Sequence, residues 1–208
     1  MLQIYHRAIT TEALNGYFSP QALEIIIAAN LGQDHWLRGQ IGHPEYHFDR
    51  NAFAESWAYI ESNRAIVRSA LEAGNAVAAQ QALGRLTHAA QDFYAHSNYV
   101  SLWLNRFLEG KWPPVEEMDP FDDALLQSPE LRSGKIYFPL EPLSWIPGLA
   151  PLIIPLLPRD SHAWMNLDSP ARGPKFAYAF AAAVKRTRYA FEQTALYACR
   201  ACSPQGGG

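Results

Sequence analysis

Thiols are nearly absent from this sequence: Cys199 and Cys202, close together near the C-terminus, are its only cysteines. Two cysteines cannot build a disulfide framework. Without a second pair, their C-x-x-C spacing reads as small residues on a terminal helix. Charge is also sparse, at 18 % of residues with a net charge of −3, and no Lys/Arg run occurs. That argues against a broad phosphate-binding surface for duplex nucleic acid. Alternating strand patterns, internal repeats and low-complexity blocks are missing, apart from the glycine-ended tail 203–208, which reads as disordered. The start Met1-Leu2-Gln3-Ile4-Tyr5-His6 lacks the charged region and apolar run of a secretory leader. The expected location is therefore cytoplasmic as synthesised, with any export by a non-classical route. The longest apolar stretch, Leu140 to Leu157, is cut by Pro142, Pro147, Pro151 and Pro155. Prolines break the backbone bonding that lipid demands, so it is not a membrane span.

What is present is apolar: 49 % of 208 residues, enough for one domain with a sizeable core. The pattern predicts an all-α fold, with a single helical metal-binding domain over 1–202. A first helix is expected from Thr10 to Tyr17. A second follows the Ser19-Pro20 restart, is buried nearly all round, and stops at Gly32. Asn51 reads as the cap of a long helix to about Leu71, with Trp57, Ile60, Ile66, Val67 and Leu71 on its apolar side. After the turn signal Gly74-Asn75, another long helix is expected to about Leu108. Gly84 inside it costs about 1 kcal/mol against alanine, which close approach of another helix would explain. A proline-rich segment, about 111–160, excludes long helices. Its apolar part, 140–157, is either a loop packed over the core or a surface for lipid or a protein partner. A final helix is expected from about Lys175 to Arg200.

The chemistry centres on Leu86 to Tyr99. His88, Asp92 and His96 are spaced i, i+4, i+8, so a helix lines them along one stripe. Imidazoles with a carboxylate between them suit zinc, or two ions sharing the carboxylate. The chain has seven histidines: His6, His35, His43, His47, His88, His96 and His162. Asp34, Asp49, Asp92, Asp160 and Asp168 accompany them. Imidazole plus carboxylate without thiolate is a catalytic rather than structural zinc composition. Asp168 is either a ligand or the cap of a helix begun by Ser169-Pro170. Asp49 reads as an acceptor orienting His47 or as a surface partner of Arg50. His35 and His43 read as loop or rim residues, and Asn98 as a local hydrogen-bonding residue.

The string His88-Ala-Ala-Gln-Asp92-Phe-Tyr-Ala-His96-Ser-Asn98 resembles the signature of the heterokaryon incompatibility protein Het-C group. That group is similar to the all-helical zinc-dependent phospholipase C and single-strand nuclease superfamily. His6 to Leu14, Ala28 to Asp34, His47-Phe48-Asp49 and His162 to Asp168 follow in the order the resemblance requires. It implies a helical bundle of the zinc-dependent phospholipase C type with a proline-rich apolar insertion. It also implies two zinc ions and a third possible one. His88, Asp92, Asp34 and His47 would hold the first; Asp92 would bridge to an ion held by His6; His96 and His162 would hold another. In those phospholipases a Glu four residues after the last His completes that ion's shell. Asn166 stands there in this chain, and Asp168 could serve instead. In those phospholipases the N-terminal amine is also a ligand; with five residues before His6, that ligand would require the chain to be trimmed.

The expected function is zinc-dependent hydrolysis of a phosphodiester, foremost by a phospholipase C acting on phospholipid at a membrane surface. Asp34 is the candidate to orient the attacking water, and Trp36, Tyr46 and Trp164 are candidates for a cationic head group. The alternatives are a single-strand nuclease and a non-catalytic, metal-stabilised interaction domain. A di-iron carboxylate bundle would need paired Glu-x-x-His motifs, and none occurs.

Overall fold

The computed structural model describes residues 1–35, 42–108, 110–146 and 148–201, without side-chain placement for 195–201. It is all-α. Among the described residues β-pairing is limited to two isolated bridges, Ser97 with Ser133 and Lys135 with Ser161.

Helix α1 spans Gln3–Leu14, earlier in the chain than the pattern suggested. Its buried face is His6, Ile9, Thr10, Ala13 and Leu14, so the i, i+3, i+4, i+7, i+8 stripe begins at His6. Helix α2, Pro20–Leu31, starts as expected: the Ser19 hydroxyl accepts from the Ala22 amide at 3.3 Å, with Pro20 at the first helical position. Only Ile26, Ile27 and Asn30 of α2 are buried, so it lies on the core rather than inside it. The short helix α3, Pro44–His47, is followed by α4, Phe53–Glu72. Asn51 does not cap α4. Its backbone is left-handed, and it exchanges two bonds with Ser133, donating its amide to the Oγ at 2.8 Å and accepting the Ser133 amide at 2.7 Å. On α4, Ile60 and Val67 are buried, whereas Ile66 and Leu71 face outward.

Helix α5, Ala76–His96, is the axis of the molecule, packed by α2, α4 and the last helix. The Asn75 side chain caps it at 3.1 Å from the Ala78 amide. From Leu86 to His96 every residue is buried. Burying Leu86, Phe93 and Tyr94 there contributes about 1.5–3 kcal/mol each. Gly84 has the role that a close helix crossing requires: a Cβ would stand 2.2 Å from the Ile26 carbonyl oxygen and 2.8 Å from the Ala29 Cβ. The helix stops at His96 rather than running to Leu108. At Asn98 the chain turns away to pair with 130–132, and a separate α6, Tyr99–Leu104, follows.

Among its described residues the proline-rich region contains the short α-helices α7, Asp123–Leu126, and α8, Ala150–Ile153, with 3-10 turns at Val115–Glu117, Glu141–Trp145 and Ile154–Leu156. Helix α9, His162–Met165, and the long α10, Lys175–Ala201, complete the order. Phe176 and Val184 of α10 are buried, with Phe180 and Phe191 packed against the core. The segment 140–157 divides: Glu141 and Leu157 are buried, while Leu143, Trp145, Ile146, Leu152 and Leu156 are exposed. No described helix is long and apolar enough to cross a membrane.

Candidate metal centre

The stripe on α5 sets the site. His88 and Asp92 are fully buried, and His96 nearly so. Other elements converge on it: α1 brings His6, the turn after α2 brings Asp34, α3 brings His47, and α9 brings His162. Asp168 lies between α9 and α10. It caps nothing: the helical turn at Pro170–Arg172 has no side-chain cap, and its carboxylate sits 3.1 Å from His96 Nε2.

Asp92 is the hub. Its Oδ2 lies 2.8 Å from His47 Nδ1 and 3.1 Å from His88 Nε2, and its Oδ1 lies 3.2 Å from His6 Nε2 and 3.7 Å from His96 Nε2. His6, Asp34, His88 and Asp92 place one donor atom each within 4.8 Å of one another. His47 adjoins this group, its Nδ1 3.2 Å from His88 Nε2. A second group of the same kind joins Asp49, His96 and His162.

Within the second group the hydrogen bonds indicate which ring edges are free. His96 Nδ1 lies 3.0 Å from the His47 carbonyl oxygen, so it carries a proton and Nε2 is the ring edge turned into the site. His162 Nδ1 lies 3.0 Å from Asp49 Oδ1. Both Nε2 atoms then turn toward Asp168, at 3.1 Å from His96 and 3.9 Å from His162. Asp49 thus orients His162, not His47. A carboxylate behind a histidine fixes its ring and raises its basicity as a ligand. Asn166 is turned away and bonds the carbonyls of His162 and Ala163.

The backbone that delivers Asp49 is strained. Phe48, Arg50 and Asn51 all have φ between 56° and 59°, in the left-handed region. Such residues cost about 1–3 kcal/mol each and persist where the surroundings fix them. The reversal lets His47 and Asp49 face the same space while Phe48 packs in the core.

The electrostatics follow from burial and the hub. Burial lowers the pKa of His88 to about 4, outweighing Asp92, so this ring is neutral at pH 7. Burial also opposes charge on His47 and His162, but Asp92 raises the first and Asp49 raises the second to about 9. Despite burial, the surrounding positive groups hold Asp92, Asp49 and Asp168 below the ordinary carboxylate value. The Met1 amino group lies between the two groups, 2.7 Å from Asp92 Oδ1 and 3.2 Å from Asp168 Oδ1. Burial opposes its charge, yet these carboxylates raise its pKa to about 11.

The residues present fit a divalent metal. His6 Nε2, Asp34 Oδ2 and His47 Nε2 are buried with no hydrogen-bond partner. Unsatisfied buried polar atoms are costly, and three of them around one carboxylate hub form a donor set that a cation would satisfy. The site opens into a cavity of about 190 Å³ whose walls include Asp34, His47, His96, His162, Asp168, Ile136 and Trp145.

Of the expected head-group residues, Trp36 lies outside the described residues. Tyr46 is stacked on His43 with centroids 4.4 Å apart and does not line the cavity. Trp164 is turned elsewhere: Arg159 covers its ring at 3.8 Å, and its indole NH bonds the Leu157 carbonyl. Trp145 is the aromatic at the cavity, and sequence reasoning placed it only in the apolar segment. His43 pairs with Glu45, and neither it nor His35 joins a donor group.

No solved structure matches the chain. The von Willebrand factor A domain-containing protein 7 of Rattus norvegicus is 37 % identical over 84 residues, which is 39 % of this chain and 9 % of that protein. The profile of the VWA7 N-terminal domain matches residues 2–118, a span holding His6, Asp34, His47, Asp49, His88, Asp92 and His96. The match covers more than half of the chain, which therefore belongs to the VWA7 N-terminal domain family.

Proposed function

We propose that this chain is a zinc-dependent phosphodiester hydrolase of the phospholipase C type, acting on phospholipid at a membrane surface. The observation that carries this reading is the set of orphaned imidazole and carboxylate atoms at a cavity with an apolar rim. His6, Asp34, His47, His88 and Asp92 would hold one part of the zinc cluster, and His96, His162 and Asp168 the other. When bound, zinc supplies Lewis acidity toward phosphate oxygens and lowers the pKa of water.

The chain's own residues account for the rest. No arginine or lysine is among the described residues lining the cavity; the positive groups there are the His162 imidazole, which Asp49 raises to a pKa of about 9, and the Met1 amine. Of His6, Asp34, His47, His88 and Asp92, Asp34 has the most solvent contact, at 12 % side-chain exposure against 4 % for His47, and its Oδ2 has no hydrogen-bond partner. In this reading it would accept a proton from water and orient it toward phosphorus. Trp145 and Ile136 form the apolar side of the cavity, and Trp145, Ile146, Leu152 and Leu156 are exposed. Acyl chains would rest on that segment while the phosphate reaches the histidines. A single-strand nuclease would need a basic groove with stacking platforms, and one tryptophan does not make one.

One observation favours a second reading, a metal-stabilised interaction domain. His6, His88 and Asp92 are wholly inaccessible, as in a structural site. Metal content and the Asp34→Asn variant separate the two. For the hydrolase, the protein purified without chelator holds at least two zinc ions and cleaves phosphatidylcholine vesicles, and Asp34→Asn keeps the fold and the ion at His96 and His162 but loses cleavage. Metal without cleavage of any phospholipid or nucleotide diester leaves the interaction domain.

A further inference from the structure

Behind the first donor group lies a buried polar network that the metal reading does not use. It joins Thr10 of α1, Asn30 of α2, Thr87 and Gln91 of α5 and Thr187 of α10, all fully buried. Its polarity can be worked out from one end.

Thr87 has a single hydroxyl proton, which goes to the Gly84 carbonyl at 3.0 Å. Its oxygen can then only accept, so the Asn30 atom 3.3 Å away is the amide nitrogen. That nitrogen also reaches Gln91 at 3.2 Å, so the Gln91 atom it meets is the carbonyl oxygen. The far end of Gln91 is its NH2, whose two protons meet Thr10 and Thr187, each at 3.0 Å. With both amides fixed, each presents an oxygen to an imidazole. Gln91 Oε1 lies 2.6 Å from His6 Nδ1, and Asn30 Oδ1 lies 3.4 Å from His88 Nδ1. Each Nδ1 must then carry its proton. The two rings stack with centroids 4.3 Å apart, and their Nε2 atoms face Asp92, at 3.2 Å from His6 and 3.1 Å from His88.

We propose that Gln91 and Asn30 are positioning residues: they lock His6 and His88 in the Nδ1-protonated tautomer and aim both Nε2 lone pairs at the space between Asp34 and Asp92. The chemical class this selects is a divalent cation that accepts neutral imidazole nitrogen. An amide acceptor fixes a neutral ring without adding charge, unlike the carboxylate behind His162. The direction of the whole relay starts at Gly84, where α2 comes close enough to α5 for Asn30 to reach Thr87. The zinc-binding part of this proposal rests on the function proposed above, but the tautomers do not.

The test is a long-range 1H–15N correlation spectrum of the imidazoles in the metal-free full chain, with zinc titrations of Gln91→Leu and Gln91→Glu. Wild-type His6 and His88 are expected to show a protonated Nδ1 and an unprotonated Nε2. Gln91→Leu should give mixed tautomers at His6 and zinc binding about 10–100-fold weaker. Gln91→Glu, which keeps an oxygen toward His6, should restore the tautomer and most of the affinity. Should Gln91→Leu fail to fold, the wild-type spectrum still decides. A protonated Nε2 on His6, or zinc binding by Gln91→Leu as tight as wild type, overturns the clamp. The expected tautomers in a chain that takes up no zinc support the clamp and overturn the metal reading instead.

Discussion

The backbone at Gly134 lies so close to His162 that a Cβ at position 134 would stand 2.5 Å from the His162 Cα. Gly134 is also where three strands of chain meet: its amide donates to the His96 carbonyl at 3.1 Å, and its own carbonyl accepts from Arg50 at 2.8 Å. One glycine therefore spaces His96, Asp49 and His162. The neighbour is backbone, so rotation of a side chain cannot relieve the contact. Gly134→Ala is expected to cost about 1–3 kcal/mol of stability and to displace His162. Metal analysis should show loss of the ion at the His96/His162 group, with the ion at His6/His88 retained. Unchanged metal content would refute the spacing role.

Gly84→Ala sets two effects against each other. Alanine gains about 1 kcal/mol of helix propensity. The Cβ, however, meets the Ile26 carbonyl at 2.2 Å. Since that oxygen belongs to a packed helix, overpacking is expected to dominate, and thermal denaturation should show a net loss. A rise in melting temperature would mean that α2 shifts freely on α5.

The Asp49–His162 pair predicts opposite pH responses with and without metal. Asp49 holds the His162 pKa at about 9 against the ordinary 6.5, despite burial. A folded-state value above the unfolded one stabilises the fold fully below pH 6.5, and the contribution is lost as pH rises through 9. The shift corresponds to at most about 3 kcal/mol. Metal-free protein should therefore melt at lower temperature at pH 9 than at pH 6.5, and Asp49→Asn should flatten that slope. Zinc must displace the His162 proton, so its affinity should climb over the same range. Equal melting temperatures for metal-free wild type at the two pH values would exclude the ion pair.

The exposed apolar residues of the 140–157 segment can be tested without touching the histidines. Leu152 and Leu156 are 67 % and 68 % exposed. Replacing both with Glu should leave zinc content and melting temperature unchanged. It should weaken sedimentation with phosphatidylcholine vesicles by roughly tenfold or more, because it removes apolar area that lipid would bury. A short-chain, soluble phosphodiester should be cleaved at the wild-type rate. Equal loss on both substrates would place the effect in the cavity.

The α5 ladder was legible because the helical repeat alone puts His88, Asp92 and His96 on one stripe; Ser19-Pro20 marked a helix start through local hydrogen bonding, and Gly74-Asn75 marked the turn before α5. The apolar 140–157 stretch was visible as composition, but which of its residues stay exposed was not. Local rules failed where distant backbone competes. Asn51 pairs with Ser133 instead of capping α4, and the helix expected to reach Leu108 gives way after His96 to pairing with 130–132.

By itself, then, the sequence determined the helical class, the proline-cut apolar segment and the inventory of imidazole and carboxylate side chains, since periodicity and residue chemistry are local properties. Tertiary structure decided how those side chains are used. It put Asp49 behind His162, covered Trp164 with Arg159, and set Trp145 at the cavity. It also joined Asn30 and Gln91 into one network, although the two are 61 positions apart in the chain. Hydrogen-bond direction and ring orientation depend on which backbones come within 3 Å of one another, and here that is set by the close approaches at Gly84 and Gly134.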